Sequence, residues 1–277
     1  MSGLITEPGV YDHIPELAYH GDTLLAPHLG HSLSASGAKT LLASPARFAY
    51  EREHGRPGTA AMDFGTLVHA LVLRSHDERI VVSPYETQRT NAAKEFTAQA
   101  EAEGRIVVSA KDVRRAIAVA KAVRAHPLAG AILTDGRPEV SLYWLSEEGV
   151  TCRARIDWLH PKAIVDLKTV SRYGGSELDT FGRQAASLDY PLSAAHYREG
   201  WHALTGEWLD FLTITVETEA PHFVQVTRYS EADLAAGSER MRRARQEFAE
   251  RESSGVWVDP PEIHTLPVPA WYARSAS

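Results

Sequence analysis

The stretch from Val150 to Val170, VTCRARIDWLHPKAIVDLKTV, decides the fold of this chain. Polar and apolar residues alternate through its first half, and a second apolar run ends in the tetrad Asp166-Leu167-Lys168-Thr169. Both halves are therefore predicted to be strands. The segment His160-Pro161-Lys162 between them is predicted to be a turn, which makes the pair an antiparallel hairpin.

The register of this hairpin decides whether its charged residues meet. If His160 pairs with Ala163, Asp157 lies directly opposite Asp166, and Lys168 shares the face of Asp166. Opposed Cβ atoms are about 4.5–5.5 Å apart, and like charges there repel unless a cation lies between them. Two carboxylates and an amine on adjacent strands suit a Mg²⁺-dependent phosphodiesterase. The alternative is a solvated ion pair between Asp166 and Lys168, and a register shift of one residue would destroy the shared face.

The rest of the chain predicts one elaborated α/β domain, a mixed sheet flanked by helices. Hydrophobic periodicity predicts helices at 37–42, 46–53, 62–74, 87–103, 109–125 and 231–252, and a helix at 181–205 interrupted at Pro191. Strands are predicted at 140–145, 151–159, 163–170, 208–217 and 222–227. We expect residues 1–32 to form an irregular N-terminal arm and 33–277 a single domain.

Composition excludes several classes of protein. The chain has 277 residues, of which 44% are hydrophobic and 23% charged, as in ordinary soluble proteins. No apolar stretch approaches the length of a membrane span, and no signal-peptide core follows Met1. The single cysteine, Cys152, excludes an intrachain disulfide framework and a four-cysteine iron–sulfur cluster, and it indicates a reducing cytoplasm.

The formal net charge of −7 argues against nucleic acid as a partner, but the basic residues are unevenly distributed. A predicted helix at 109–126 carries five of them: Lys111, Arg114, Arg115, Lys121 and Arg124. Strict alternation also places Arg153 and Arg155 on the face of Asp157. Both groups are candidates for DNA contact, and a solvated helix face is the alternative for the first.

The ordered motifs of the chain resemble the PD-(D/E)XK nucleases, most closely the RecE-type phage exonucleases (the C-terminal domain of exonuclease VIII). The resemblance covers residues 33–272. Its motifs are Leu33-Ser34-Ala35-Ser36 with Ser44-Pro45-Ala46-Arg47-Phe48, then Gly65-Thr66-Leu67-Val68-His69, then Glu139, Asp157, the tetrad at 166–169 and Gln184, and a tail from Ile263 to Trp271. It implies the restriction-endonuclease-like α/β core with helical N-terminal additions.

The resemblance also implies roles for individual residues. His69, Asp157, Asp166 and the backbone carbonyl of Leu167 would hold Mg²⁺ or Mn²⁺. Lys168 would position or polarise the attacking water and stabilise the charge that develops on the phosphate. Glu139 would be the acidic residue that precedes the hairpin, and Gln184 would lie near the scissile phosphate. From the residues alone, a packed core histidine is the simpler interpretation of His69, and a polar residue opening a strand is an equal one for Glu139. Further candidates for DNA contact are Ser36, Arg47, Arg153, Arg155, Thr169, Tyr190 and Tyr197.

One position departs from the family pattern. The family places a tyrosine four residues after the glutamine, where this chain has Leu188. The phosphate-contacting partner of Gln184 is therefore open, with Tyr190 and Tyr197 as replacements.

The activity implied is metal-dependent 5′-to-3′ hydrolysis of linear double-stranded DNA in a bacterial cytoplasm. The implied partners are DNA ends, a RecT-like single-strand annealing protein, and further copies of the chain in a ring-like trimer or tetramer. Two alternatives stay open. One is a RecB-like nuclease of repair or defence without an iron–sulfur cluster. The other is a catalytically silent nuclease-fold module that binds DNA or protein.

Overall fold

The computed structural model describes residues 4–265 apart from 56–58, 76, 88, 172–176, 262 and 264. Within these residues the helices are α1 Glu16–His20, α2 Ala35–Ala43, α3 Pro45–His54, α4 Ala60–Leu73, α5 Asn91–Ala102, α6 Ala110–Ala125, α7 Pro127–Ile132, α8 Leu178–Ser187, α9 Tyr190–Thr205 and α10 Glu231–Ser254. The strands are β1 Gly9–Tyr11, β2 Leu33–Ser34, β3 Ile80–Val82, β4 Ile106–Val108, β5 Arg137–Leu145, β6 Thr151–His160, β7 Ala163–Val170, β8 Asp210–Glu217 and β9 Val224–Thr227. Most of the tail motif that begins at Ile263 lies outside the described residues.

A mixed sheet forms the centre of the fold, as predicted. Its strands follow the order β1-β5-β6-β7-β8-β9, and β2 pairs with β6 beside this path. β7 and β8 are parallel, as are β2 and β6, while the other neighbours in this sheet are antiparallel. The parallel pair requires a crossover, which α8 and α9 provide. β3 and β4 form a separate two-stranded parallel sheet.

Helices cover both faces of the central sheet, and each face has its own core. The α9 core lies between the sheet and α2, α3, α9 and α10; its members include Leu41, Phe48, Val140, Ile156, Ile164, Leu192 and Met241. The α4 core lies on the other face against α4, α6 and α7; its members include Val68, Val119, Ile132, Trp158, Val165, Leu167 and Ile214. Among the described helices, none combines the length and the hydropathy that a membrane span requires.

The predicted hairpin register is confirmed at its closed end. His160 pairs with Ala163 and Trp158 with Val165, but the ladder between β6 and β7 ends there, one pair before Asp157 and Asp166. Beyond that point β6 stays paired with β5 and β7 with β8. The sheet therefore opens between β6 and β7 beside the two carboxylates.

The side-chain alternation of β5 and β6 breaks beside this opening. Val140 and Ile156 pack in the α9 core, whereas Trp158, only two residues after Ile156, packs in the α4 core. The β5–β6 ladder also omits the pair between Glu139 and Asp157, and Glu139 has the left-handed φ of 53°. Such an interruption turns a strand's faces over. The strict alternation assumed for β6 is therefore broken between Ile156 and Trp158, beside Asp157.

The N-terminal residues 4–32 contain regular elements that their sequence did not predict. β1 pairs with β5 at the sheet edge, and Ile5, Tyr19 and Tyr143 form a small core beneath them. These elements are short, three residues in β1 and five in α1, so no period is long enough to be seen in the sequence. Their order comes from tertiary contacts with β5 and β6.

Candidate active site

Three carboxylates lie in one row across three adjacent strands at the opening of the sheet. The β5–β6 pairs on either side, Pro138↔Trp158 and Val140↔Ile156, place Glu139 opposite Asp157. The β6–β7 register, counted onward from the pair His160↔Ala163, places Asp157 opposite Asp166. Burial, then the charges of Asp157 and Glu16, raise the pKa of Glu139 to about 8. Burial also raises the pKa of Asp157, and Asp166 adds to it while His69 opposes it. The row is therefore a site of concentrated negative charge.

Asp157 also accepts a backbone hydrogen bond from the neighbouring strand β7. Its Oδ2 accepts a hydrogen bond from the backbone N–H of Leu167 at 2.7 Å, which takes the place of the missing β6–β7 ladder bond. In a regular strand the N–H and the C=O of one residue point to the same neighbouring strand. The carbonyl of Leu167 is therefore directed toward β6 and the carboxylate row, which is the orientation that a role as ligand requires.

His69 reaches the row from the opposite helical layer. It lies on α4, and its Nδ1 is 3.6 Å from Asp157 Oδ2. Thr59 caps the start of this helix by accepting from the N–H of Met62. A Cβ on Gly65, one turn before His69, would lie 3.5 Å from the Thr169 hydroxyl, so α4 approaches β7 closely at this point. The imidazole is half-buried beside a carboxylate and is not an isolated core histidine.

Lys168 is held beside Asp166, as the alternation of β7 predicts. Its ammonium lies 2.7 Å from both oxygens of that carboxylate, while Val165 and Leu167 face the α4 core. Burial disfavours the charge on Lys168, but Asp166 and Asp157 outweigh burial and raise its pKa above the ordinary value. The side chain is thus a cation that can donate hydrogen bonds at the centre of the site.

Tyr190, one of the two candidates to replace the family's tyrosine, lies beside Lys168. Its ring centroid is 5.2 Å from the Lys168 ammonium. The preceding Asp189 has a left-handed φ of 51° and binds Arg240 at 2.7 Å, and this conformation separates α8 from α9. Leu188, at the family's tyrosine position, is 46% exposed. The predicted interruption near Pro191 is therefore confirmed, and it brings Tyr190 to the site.

Sequence reasoning missed Lys39, whose ammonium lies 5.3 Å from the same Tyr190 ring. Burial and then the charge of Lys168 lower its pKa to about 8. The signal in the sequence was its place one turn after Ser36 in the opening motif, on a helix whose position in the fold the sequence does not give.

Gln184 lies on α8, which packs through Phe181 and Ala185 against Val170 at the end of β7. Its Oε1 is buried and has no hydrogen-bond partner among the described residues. A buried amide oxygen without a partner is costly, which is consistent with a ligand group completing it.

The structure gives Arg153 and Arg155 a different task from the predicted DNA contact. Arg153 donates to Ser32 and pairs with Asp22 at 3.1 Å. Arg155, which is 7% exposed, pairs with Glu16 at 2.8 Å and donates to the carbonyl of Ile14. Both guanidinium groups are thus bound to the N-terminal residues in this structure, and their contact with DNA stays a prediction.

The remaining candidates for DNA contact are split between surface and interior. Ser36 and Arg47 are exposed and Thr169 is half-buried, so these three stay predictions. Burial raises the pKa of the Tyr197 hydroxyl well above its ordinary value, because this residue packs against the α9 core.

On α6, Arg115 stacks on Phe64, and Arg124 donates to the carbonyl of Val72, while Lys111, Arg114 and Lys121 are exposed.

The donors of the row fit a hard divalent cation. Carboxylates, one imidazole and one backbone carbonyl suit Mg²⁺ or Mn²⁺. Among the described residues, no three such side chains already lie at the spacing of bound ligands. Both oxygens of Asp166 lie 2.7 Å from the Lys168 ammonium. Asp157, Asp166, His69 and the Leu167 carbonyl are the groups that would hold the ion.

Comparison with known proteins agrees with this architecture. The crystal structure of a candidate exonuclease from Eubacterium rectale superimposes with a TM-score of 0.61 at 14% sequence identity, covering 96% of this chain and 100% of that one. At this identity the likeness speaks for the fold alone. No curated protein matches the chain. A family model described as a PDDEXK-like domain of unknown function (DUF3799) matches residues 34–260, which contain the carboxylate row, His69, Lys168 and Gln184. The chain therefore belongs to this PDDEXK-like family, and with it to the PD-(D/E)XK nuclease superfamily.

Proposed function

We propose that this protein is a metal-dependent DNA exonuclease that hydrolyses the phosphodiester bonds of linear double-stranded DNA. The observation that carries the proposal is the row of Glu139, Asp157 and Asp166 with Lys168 at 2.7 Å from its last member. A module that only binds would have no need for three repelling carboxylates beside a fixed ammonium. The family membership and the fold of the Eubacterium rectale structure support a nuclease.

The residues divide the chemistry between them. A bound Mg²⁺ or Mn²⁺ would supply a more acidic water and charge neutralisation at the phosphate. Asp157 and Asp166 would bind it, with His69 and the Leu167 carbonyl completing the site. Lys168 would donate to the attacking water or to a phosphate oxygen, where negative charge develops. The Gln184 amide would orient the phosphate from α8.

The finer parts of the proposal rest on the RecE resemblance. They are 5′-to-3′ polarity, delivery of the remaining strand to a RecT-like annealing protein, a ring-like trimer or tetramer, and action in the bacterial cytoplasm. A ring would pool the exposed basic residues of several copies around DNA, which offsets the net charge of −7 of each copy.

The test is digestion of linear duplexes labelled at the 5′ or the 3′ end, in Mg²⁺ or Mn²⁺, beside covalently closed circles of the same sequence. We expect loss of the linear substrate from its 5′ ends and intact circles. Digestion of circles would contradict an exonuclease. Equal activity in Lys168→Ala would contradict the assigned site, and binding of DNA without hydrolysis would favour the silent module.

A further inference from the structure

A second lysine lies at the site without a carboxylate of its own. Lys39 projects from α2, and both its ammonium and that of Lys168 lie close to one Tyr190 ring, at 5.3 and 5.2 Å from the centroid. Lys168 is paired with Asp166 at 2.7 Å. Among the described residues, no hydrogen bond or ion pair binds the Lys39 ammonium, and the nearby Asp189 is paired with Arg240.

Such a pair of cations is poor design for the free protein. Burial and then the neighbouring Lys168 disfavour the charge on Lys39, and the attraction of Asp166 and Asp189 does not outweigh them. An aromatic ring offsets part of this cost through cation–π attraction, but a ring cannot satisfy the three donors of an ammonium. An anion that arrives between the two lysines would satisfy both, and the anion of a nucleic acid is its phosphate.

We propose that Lys39 binds a phosphate group of the DNA substrate next to the group that Lys168 faces, at the Tyr190 ring that both ammonium groups approach. The inference rests on the proposed function, because it assigns a new substrate contact to the same site. Lys39 touches the substrate in this scheme and takes no part in metal binding.

The first test is DNA binding by Lys39→Met, which keeps the unbranched stem over Tyr190 and removes the charge. Binding of a linear duplex is measured at several salt concentrations with Ca²⁺ in place of Mg²⁺, so that hydrolysis does not intervene. We expect Kd to rise about 10-fold or more, as for a lost charged hydrogen bond. The slope of log Kd against log salt should fall by about 0.9, which corresponds to one phosphate contact. Lys39→Arg should restore most of the affinity and most of the salt dependence.

Two controls separate this contact from a structural role. Lys162→Met removes an exposed lysine at the far end of β7, and its Kd and slope should match the wild type. The Tm of Lys39→Met should equal or exceed that of the wild type, because the change removes a repelled charge. A fall in Tm with unchanged Kd and slope would overturn the proposal.

The outcomes also distinguish this proposal from the proposed function. A wild-type protein that hydrolyses DNA while Lys39→Met binds with the same Kd and slope would overturn the Lys39 contact and leave the nuclease standing. A wild-type protein that binds without hydrolysis would refute the nuclease, and the comparison of Kd and slope would still decide the Lys39 contact. A wild-type protein that binds no DNA would overturn both.

Discussion

Replacing Asp157 by asparagine should make the metal-free protein more stable and the metal-loaded protein inactive. Asp157 lies between Glu139, which the flanking β5–β6 pairs place opposite it, and Asp166, one position beyond the end of the β6–β7 ladder. Asparagine has the same shape, and its carbonyl oxygen can still accept from the N–H of Leu167, as Asp157 does at 2.7 Å. The substitution therefore removes one charge from the row and keeps the backbone hydrogen bond.

The magnitude follows from Coulomb's law. Opposed side chains about 5 Å apart repel by about 3 kcal/mol at an effective dielectric constant of about 20. His69 at 3.6 Å from Asp157 and Lys168 beside Asp166 offset most of this repulsion. We expect a net gain of about 1 kcal/mol in the free energy of unfolding, which raises Tm by about 2 °C in a chain of this size.

Thermal melts in EDTA and in saturating Mn²⁺ measure the effect. Manganese at about 100 times its Kd should stabilise the wild type by about 2.7 kcal/mol, or about 5 °C, and Asp157→Asn by much less. The two proteins should therefore exchange their order of stability when the metal is added. Asp210→Asn, at an exposed position on β8, should follow the wild type in both conditions. An Asp157→Asn protein that is less stable in EDTA, or equally stabilised by Mn²⁺, would refute the charge row as a metal site.

Three further predictions concern single side chains. Lys168→Met should lower the rate of DNA hydrolysis by about 10²- to 10³-fold while Mn²⁺ still raises Tm, whereas Lys162→Met should have the wild-type rate. Gln184→Leu should leave Tm unchanged or slightly higher, because the buried Oε1 has no described partner, and should raise KM. His196 is fully buried, and its burial, followed by the charge of Arg245, holds its pKa well below the ordinary value. Only the unfolded chain therefore takes up a proton at this histidine as pH falls below about 6.5. Urea titrations should therefore show the wild type losing about 2 kcal/mol between pH 7 and pH 5 through this residue, with the loss absent in His196→Gln and retained in His54→Gln.

The sequence predicted the strands of the central hairpin because the local alternation is strong in both. The register followed from the assumed pairing of His160 with Ala163, which the structure contains although Pro161 does not favour the primed turns of two-residue hairpins. The bounds of β7, Ala163–Val170, match the prediction, and those of β6 differ by one residue. The ion pair between Asp166 and Lys168 follows from the two-residue period of a strand alone. In the structure the Lys168 ammonium lies 2.7 Å from the Asp166 carboxylate.

Features that depend on tertiary contacts were out of reach. The break in the alternation of β6 lies opposite Glu139, and a pattern of polar and apolar residues does not reveal the left-handed backbone of that residue. The ion pairs of Arg153 and Arg155 depend on where the N-terminal residues lie, and the sequence of those short elements does not determine their position. Lys39 joins the site because α2 packs beside α9, a contact between elements far apart in the chain.

The hydrogen bond from Leu167 to Asp157 has a consequence for how relatives of this chain should vary. Because the opening between β6 and β7 leaves the Leu167 amide without a ladder partner, position 157 must supply an oxygen acceptor whether or not the protein is an enzyme. A descendant that lost catalysis would be free to lose the charge but not the acceptor. Inactive relatives should therefore carry asparagine, serine or threonine at this position and seldom alanine, and an alanine scan there would confuse a folding defect with a catalytic one.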